Sequence, residues 1–265
     1  MAEAHAARLI CCLGAAASLA TTAPVAAPAR PTLTAMGTEL VLTMPDGRSL
    51  RSADLVGAAL SIVTAQGPVE VTVAGVEEDR QAIGGRVLLH RFLVRDEAGR
   101  TSDLCTPDAE GRSLGFPVPD GHGGFGLACT SGAVGKCVRW GYRAWEERPG
   151  GPPLAALHEA CVHMARADYG GDGHATTRVG TLIHWCDRFG VHLCAEIADA
   201  PAAFEAAWGR NGAVCVAHPR IAENVSLEQL AERYPQLRSH LGPGSCSEGT
   251  AMHDPTALLF NRSGR

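Results

Sequence analysis

Residues 158–172, HEACVHMARADYGGD, place two histidines and two aspartates within one short stretch. Imidazoles and carboxylates are the groups of general acid–base hydrolysis, so His158, His163, Asp168 and Asp172 form a candidate polar cluster. His158, Glu159 and His163 come close to the His-Glu-x-x-His zinc pattern. The second histidine falls at i+5, however, roughly 140° around a helix from the first. Two ligands so splayed cannot readily grip one metal, and surface or capping histidines are expected. In the ADYGGDG that follows, two carboxylates four residues apart are fewer oxygen ligands than a calcium loop brings. The expectation is a helix terminator and turn. Gly170, Gly171 and Gly173 would supply positive φ angles, and the aspartates would accept bonds from nearby amides.

A second stretch, LIHWCDRFGVHLC at 182–194, reads as a hairpin. A three-residue loop Arg188–Phe189–Gly190 would put Gly190 in the left-handed position. In that register Cys186 faces His192 and His184 faces Cys194, all on one face of the ladder. His184, Cys186, His192 and Cys194 are the ligand types of a tetrahedral zinc site. The same register leaves Cys186 and Cys194 diagonal, roughly 7–8 Å apart, at the limit for a disulfide with each other. Two separate disulfides reaching other cysteines are therefore expected, with zinc as the alternative, and no cofactor is assigned. No Gly-x4-Gly-Lys-Ser/Thr phosphate loop occurs. Ser131 sits in a glycine-rich turn with no base that the sequence names.

The elements that must hold these groups follow from periodicity. LAALHEACVHMARADY, from Leu154, repeats apolar Leu154, Leu157, Cys161 and Met164 at helical steps and predicts a helix closed by Gly170 and Gly171. PAAFEAAW predicts a second helix, with Asp199 as N-cap and Gly209 as stop. SLEQLAERY predicts a third, with a Ser226–Gln229 capping box and Pro235 beyond its end. AVCVAH and TALLFNRS read as strands. Residues 36–100 are β-rich, with TELVLTM, VEVTVAGV and RVLLHRFLVRD separated by the turn signals PDG and IGG. Residues 101–150 read as loop-rich, PVPDGHGGFG being too glycine-dense for regular structure. KCVRWGYRAW brings Trp140, Tyr142 and Trp145 beside Cys137, as a core cluster. The expected fold class is α+β: a β-rich N-terminal half, and a cysteine-rich C-terminal half with about three short helices.

The chain has 265 residues and a formal charge of −5, with no basic run, which argues against nucleic-acid binding. Its first residues have the layout of a signal peptide: a polar start to Arg8, the apolar LICCLGAAASLA, then small residues and prolines. Residues 1–29 are read as that leader and 30–265 as one extracytoplasmic domain, β-rich over about 36–100 and disulfide-rich over about 101–265. No later stretch has the length of a membrane span. Beyond the leader stand Cys105, Cys129, Cys137, Cys161, Cys186, Cys194, Cys215 and Cys246. An even number in an exported chain reads as disulfides, with the pairing open.

Three blocks in one order, GLACTSGAVGKCVRWGYRAW, HEACVHMARADYGGDGHATTRVGTLIHWCDRFGVH and FEAAWGRNGAVCVAHPRI, resemble the ADYC-domain proteins, an exported bacterial family. The resemblance runs from about Thr38 to the C-terminus and implies an exported domain with no catalytic residue assigned. Here Ala167, Asp168 and Tyr169 are followed by Gly170 where the family motif has cysteine. The family tends to lack a cysteine where Cys186 stands. The resemblance therefore implies a relocated half-cystine, with Cys186 bonding the partner that the missing cysteine would have taken.

These readings converge on a secreted or periplasmic, disulfide-stabilised domain that binds an extracellular or periplasmic ligand of unknown identity. The alternatives are a secreted hydrolase built on His158, His163, Asp168 and Asp172, or a small metal-binding domain built on the hairpin.

Overall fold

The computed structural model describes residues 30–264 apart from 65, 66 and 97; the predicted leader, residues 1–29, lies outside them. Pro31–Arg265 is one folded unit. It opens with a three-stranded antiparallel sheet, β1 (Thr32–Met36), β2 (Glu39–Thr43) and β3 (Ser49–Arg51). A second sheet has the order β4 (Ala59–Thr64), β5 (Gly67–Glu78), β6 (Leu88–Arg95), β8 (Gly115–Pro119), β9 (Phe125–Cys129), with β7 (Thr101–Asp103) also paired to β6. Strand β5 shows the alternation that makes such an element: Val71 and Val73 point into the core while Glu70 and Thr72 do not. These two sheets share a core of Leu40, Leu55, Leu60, Val71, Val73 and Phe92.

Two helices follow, α1 (Ala133–Arg139) and α2 (Leu154–Arg166), stapled to each other by Cys137–Cys161. A third sheet then has the order β10 (Ile183–Asp187), β13 (Leu259–Ser263), β11 (Ala203–Gly209), β12 (Gly212–Val216). Helix α2 packs on it through Leu157, Cys161 and Met164, against Trp208, Val216 and Leu259. Helices α3 (Leu227–Arg233) and α4 (Glu248–Ala251) complete the chain, and α3 carries the Ser226–Gln229 capping box.

The expected α+β division is overturned. Among the described residues thirteen strands make three sheets along the whole chain, and short helices and 3-10 turns are scattered between strands, one turn at Ser52–Leu55 and the first helix directly after β9. The reading failed most clearly at PAAFEAAW, which is strand β11 and has no helix N-cap at Asp199. An interior strand is covered on both faces, so Glu205, Ala206, Ala207 and Trp208 are all buried and the period-two signal vanishes. Helix propensity favours alanine by only a few tenths of a kcal/mol per residue, whereas burying a tryptophan is worth about 2 kcal/mol or more. The glycine-rich PVPDGHGGFG also holds strand residues: it ends β8 and begins β9 around a tight loop. There Asp120 accepts from the amides of His122 (2.8 Å) and Gly124 (3.0 Å).

Two arginines join the second sheet to α1 and its following turn. Arg139 pairs with buried Asp79 at 2.5 Å. Arg143 donates to the carbonyls of Ile83, Gly84 and Gly85 at 2.5–3.1 Å, so the turn predicted there closes on a guanidinium.

His90, on β6, is fully buried, stacks on Phe92 and lies 2.7 Å from Ser52 Oγ. Burial disfavours its charged form and pushes its pKa down from 6.5 to about 4. On acidification the unfolded chain takes up this proton near pH 6.5, while the folded chain resists until about pH 4. Stability should therefore fall across that window and level off below it. His90→Phe should remove a slope of about 1.4 kcal/mol per pH unit there, read by denaturant unfolding at stepped pH.

Candidate functional site

Helix α2 stops earlier than its glycines suggest. Ala167 takes the left-handed conformation (φ 50°), and the amides of Ala167 and Asp168 close on the carbonyls of Met164 and His163. Asp168 is buried, and its Oδ2 accepts from Gly173 N (2.9 Å) and faces His163 Nδ1 (3.0 Å). Asp172 is exposed and accepts from His174 N, Arg233 and Tyr234 OH at 3.0–3.2 Å. Burial raises its pKa, but these donors outweigh that and hold the carboxyl below its usual range. Burial and Asp172 together push the Tyr234 hydroxyl up to about 12. His158 lies elsewhere, with Nδ1 2.7 Å from Tyr142 O, and burial lowers its pKa.

Of the four-residue cluster, then, only His163 and Asp168 touch. A carboxylate-oriented imidazole is half of a nucleophile-activating pair. Among the described residues, however, no hydroxyl or thiol bonds His163. A cavity of about 420 Å³ beside the loop, at Tyr169, His174, Arg233 and Tyr234, includes neither His163 nor Asp168.

The predicted hairpin does not form a ladder. Asp187 is buried, and its carboxylate collects the amides of Phe189 (2.7 Å), Val191 (3.2 Å) and His192 (2.8 Å) and the hydroxyl of Tyr142 (2.9 Å). The chain thus wraps around one side chain and turns into a 3-10 segment, while β10 pairs with β13 instead. Gly190 does take positive φ. Cys186 and Cys194 come within 4.8 Å (Cα–Cα) and bond each other rather than reaching elsewhere. Both sulfurs are consumed, and the two histidines part. His192 Nε2 lies 2.7 Å from Trp140 O, beside Trp185, whereas His184 lines a cavity of about 630 Å³ with His218. The zinc alternative is therefore not assembled, and no cluster of three or more metal-ligating side chains occurs among the described residues. The other bridges are Cys105–Cys129 and Cys215–Cys246.

A buried polar assembly escaped the sequence reading because its members are far apart in the chain. Glu205, on β11, and Arg220 are both buried and meet through two bonds of 2.9 and 3.0 Å. Tyr169 OH donates to Glu205 (3.0 Å) and accepts from Arg220 N (2.7 Å), while Asn261 donates to Glu205 (2.7 Å). Arg220 also donates to the carbonyls of Met164 (2.7 Å) and Ala165 (3.3 Å) at the end of α2. Burial, then Glu205, push the Tyr169 hydroxyl far above its ordinary pKa, so it stays a neutral donor.

Around Arg220 the surface opens into a groove of about 410 Å³ between α1 and residues 175–185. Lys136, Arg166, Arg178 and Arg220 line it, with no carboxylate among its walls. Trp140 and Trp185 lie against each other on one side, ring centroids 4.0 Å apart and planes tilted by 32°, and neighbouring Val179 and Leu182 are 104% and 72% exposed. Of these residues the sequence reading named only Trp140, within its aromatic core cluster. In the structure Tyr142 alone of that cluster is fully buried, while Trp140 and Trp145 are half-buried. The available signal was Lys136, the single lysine of the chain.

A β-rich domain closed by four disulfides, with a buried ion pair beside a cationic groove, is the class of protein that fold and site define. Residues 52–222 match the ADYC domain, and the chain belongs to that family. No curated protein and no solved structure matches it. The family's Ala-Asp-Tyr run acquires a physical meaning here: Ala167 ends α2, Asp168 closes the turn and Tyr169 joins the buried pair. The fourth position is occupied by contact, since a Cβ at Gly170 would lie 2.1 Å from the ring of Tyr234.

Arg220→Met should cost about 3–5 kcal/mol of stability by stranding Glu205. Adding Glu205→Gln should recover a large part of that loss, as measured by a double-mutant cycle in urea. Gly170→Cys should destabilise by about 1–3 kcal/mol through the displaced Tyr234 ring. It should also add one titratable thiol, because the other described cysteines are all bonded.

Proposed function

We propose that this chain is an extracytoplasmic interaction module, stabilised by disulfides, whose binding face is the groove between α1 and residues 175–185. The observation that carries the reading is the combination at that groove. Four cationic side chains, of which Lys136 and Arg166 have no carboxylate partner among the described residues, a tryptophan pair and two apolar side chains left in water lie together in a chain of net negative charge. Eight cysteines held as four bridges support a location outside the reducing cytoplasm. No helix among the described residues is long and apolar enough to cross a membrane. The His163–Asp168 contact is assigned to closing a turn, since among the described residues no nucleophile bonds His163.

The test applies the oxidised protein to arrays of peptides, polysaccharides and lipid vesicles, alongside assays of ester, peptide and glycoside hydrolysis. A ligand should be retained whose binding falls at least about tenfold in the Val179→Asp, Leu182→Asp variant. Turnover abolished by His163→Ala or Asp168→Asn would overturn the reading in favour of a hydrolase.

A further inference from the structure

We infer that the groove receives an extended acidic peptide, which adds as a short strand to the open edge of β10. This rests on the interaction-module reading and names the partner's chemistry.

Strand β10 is an edge strand, paired on one side only, to β13. The amide of Asp187 bonds His192 O, and Cys194 Sγ lies against Asp187 O, so both main-chain groups of Asp187 point away from β13. Main-chain direction alternates along a strand, so Ile183 and Trp185 point the same way. Residues 192–194 close the edge at Asp187, but no strand covers it at Ile183 and Trp185 among the described residues. The exposed stretch therefore offers the main-chain donors and acceptors of those two residues, and both line the groove. An incoming strand would bond there by β-augmentation.

Charge selects the strand. The Lys136 ammonium has no ion-pair or hydrogen-bond partner among the described residues, while the Arg166 guanidinium reaches only the carbonyl of Gly173. Arg178 is shared between the groove and Glu223, at 3.5 Å, with a further bond to Asn224. Arg220 is neutralised by Glu205. The groove thus carries an excess of positive charge beside the open edge, which repels basic strands and favours carboxylates on alternate residues, roughly 7 Å apart. Val179 and Leu182, exposed on the rim, suit apolar residues at the intervening positions. The main-chain edge favours a peptide over an acidic polysaccharide, which has the charge but no amide ladder.

The probes are a fluorescent blocked octapeptide of alternating Glu and Val, its Lys–Val counterpart, an alternately N-methylated Glu–Val peptide, and oligogalacturonate of matching length. Binding is read by anisotropy and by protection of Lys136 from acylation, the only other amine being the N-terminus. The Glu–Val peptide should bind and shield Lys136. Lys136→Gln and Arg178→Glu should each weaken it about tenfold, with unchanged circular dichroism. The Lys–Val and N-methylated peptides should bind at least about tenfold more weakly. Equal binding of the N-methylated peptide would overturn edge addition, and oligogalacturonate binding as well as the peptide would overturn the peptide assignment. No acidic-peptide binding, with an array ligand still lost in the Val179→Asp, Leu182→Asp variant, would sink this inference alone. The absence of any groove-dependent ligand would sink the module reading with it.

Discussion

The contact between Glu205 and Arg220 constrains the rest of the C-terminal part. Two charges taken out of water cost several kcal/mol each, and only close pairing with every remaining lone pair and proton satisfied recovers it. Tyr169, Asn261 and the last carbonyls of α2 provide that satisfaction. Each comes from a different element, so the pair fixes how α2, β11, β13 and the 218–222 segment meet. Trp208 extends the set, donating to Asn261 at 2.7 Å while stacking on Tyr169. A network of this kind tolerates few alternative packings, because a shift in one member strands a buried polar group in another.

The disulfides act around that centre rather than through it. Cys137–Cys161 ties α1 to α2, and Cys215–Cys246 ties β12 to the segment before α4. Cys186–Cys194 closes the wrap around Asp187, and Cys105–Cys129 joins the end of β9 to the loop after β7. Each removes freedom from the unfolded chain; Cys105–Cys129 belongs to the second sheet, and the other three lie in the part with short helices and long connections. The N-terminal sheets instead rest on alternating apolar side chains and on Arg139 and Arg143, which bind them to the helical segment.

One consequence reaches the surface. Arg220 is neutralised from below by Glu205, yet its neighbours Lys136, Arg166 and Arg178 project where no carboxylate lines the wall. The wrap around Asp187 keeps residues 192–194 at the lower end of β10, and among the described residues no strand pairs with its upper end on that side. Fold and candidate site are thus one arrangement: the same buried carboxylates that organise the chain decide which edge and which charges face solvent.

Much of the local structure was legible in the residues. The period of LAALHEACVHMAR, the Ser226–Gln229 box and the alternation of VEVTV depend on neighbours within a turn or a strand, and those elements stand where they were expected. The even set of late cysteines and the separated blocks resembling the ADYC family were likewise readable from the chain itself. Tertiary structure decided what depends on distant partners. AAFEAAW became a strand because sheets and side chains cover both of its faces. Cys186 met Cys194 because a buried aspartate gathered the intervening amides. The cationic groove assembled from three separate stretches, 131–140, 165–185 and Arg220, whose residue types carried no spacing signal. Hydrogen bonding and burial over such separations leave no periodic trace, so a linear reading recovers the elements and misses the site they enclose.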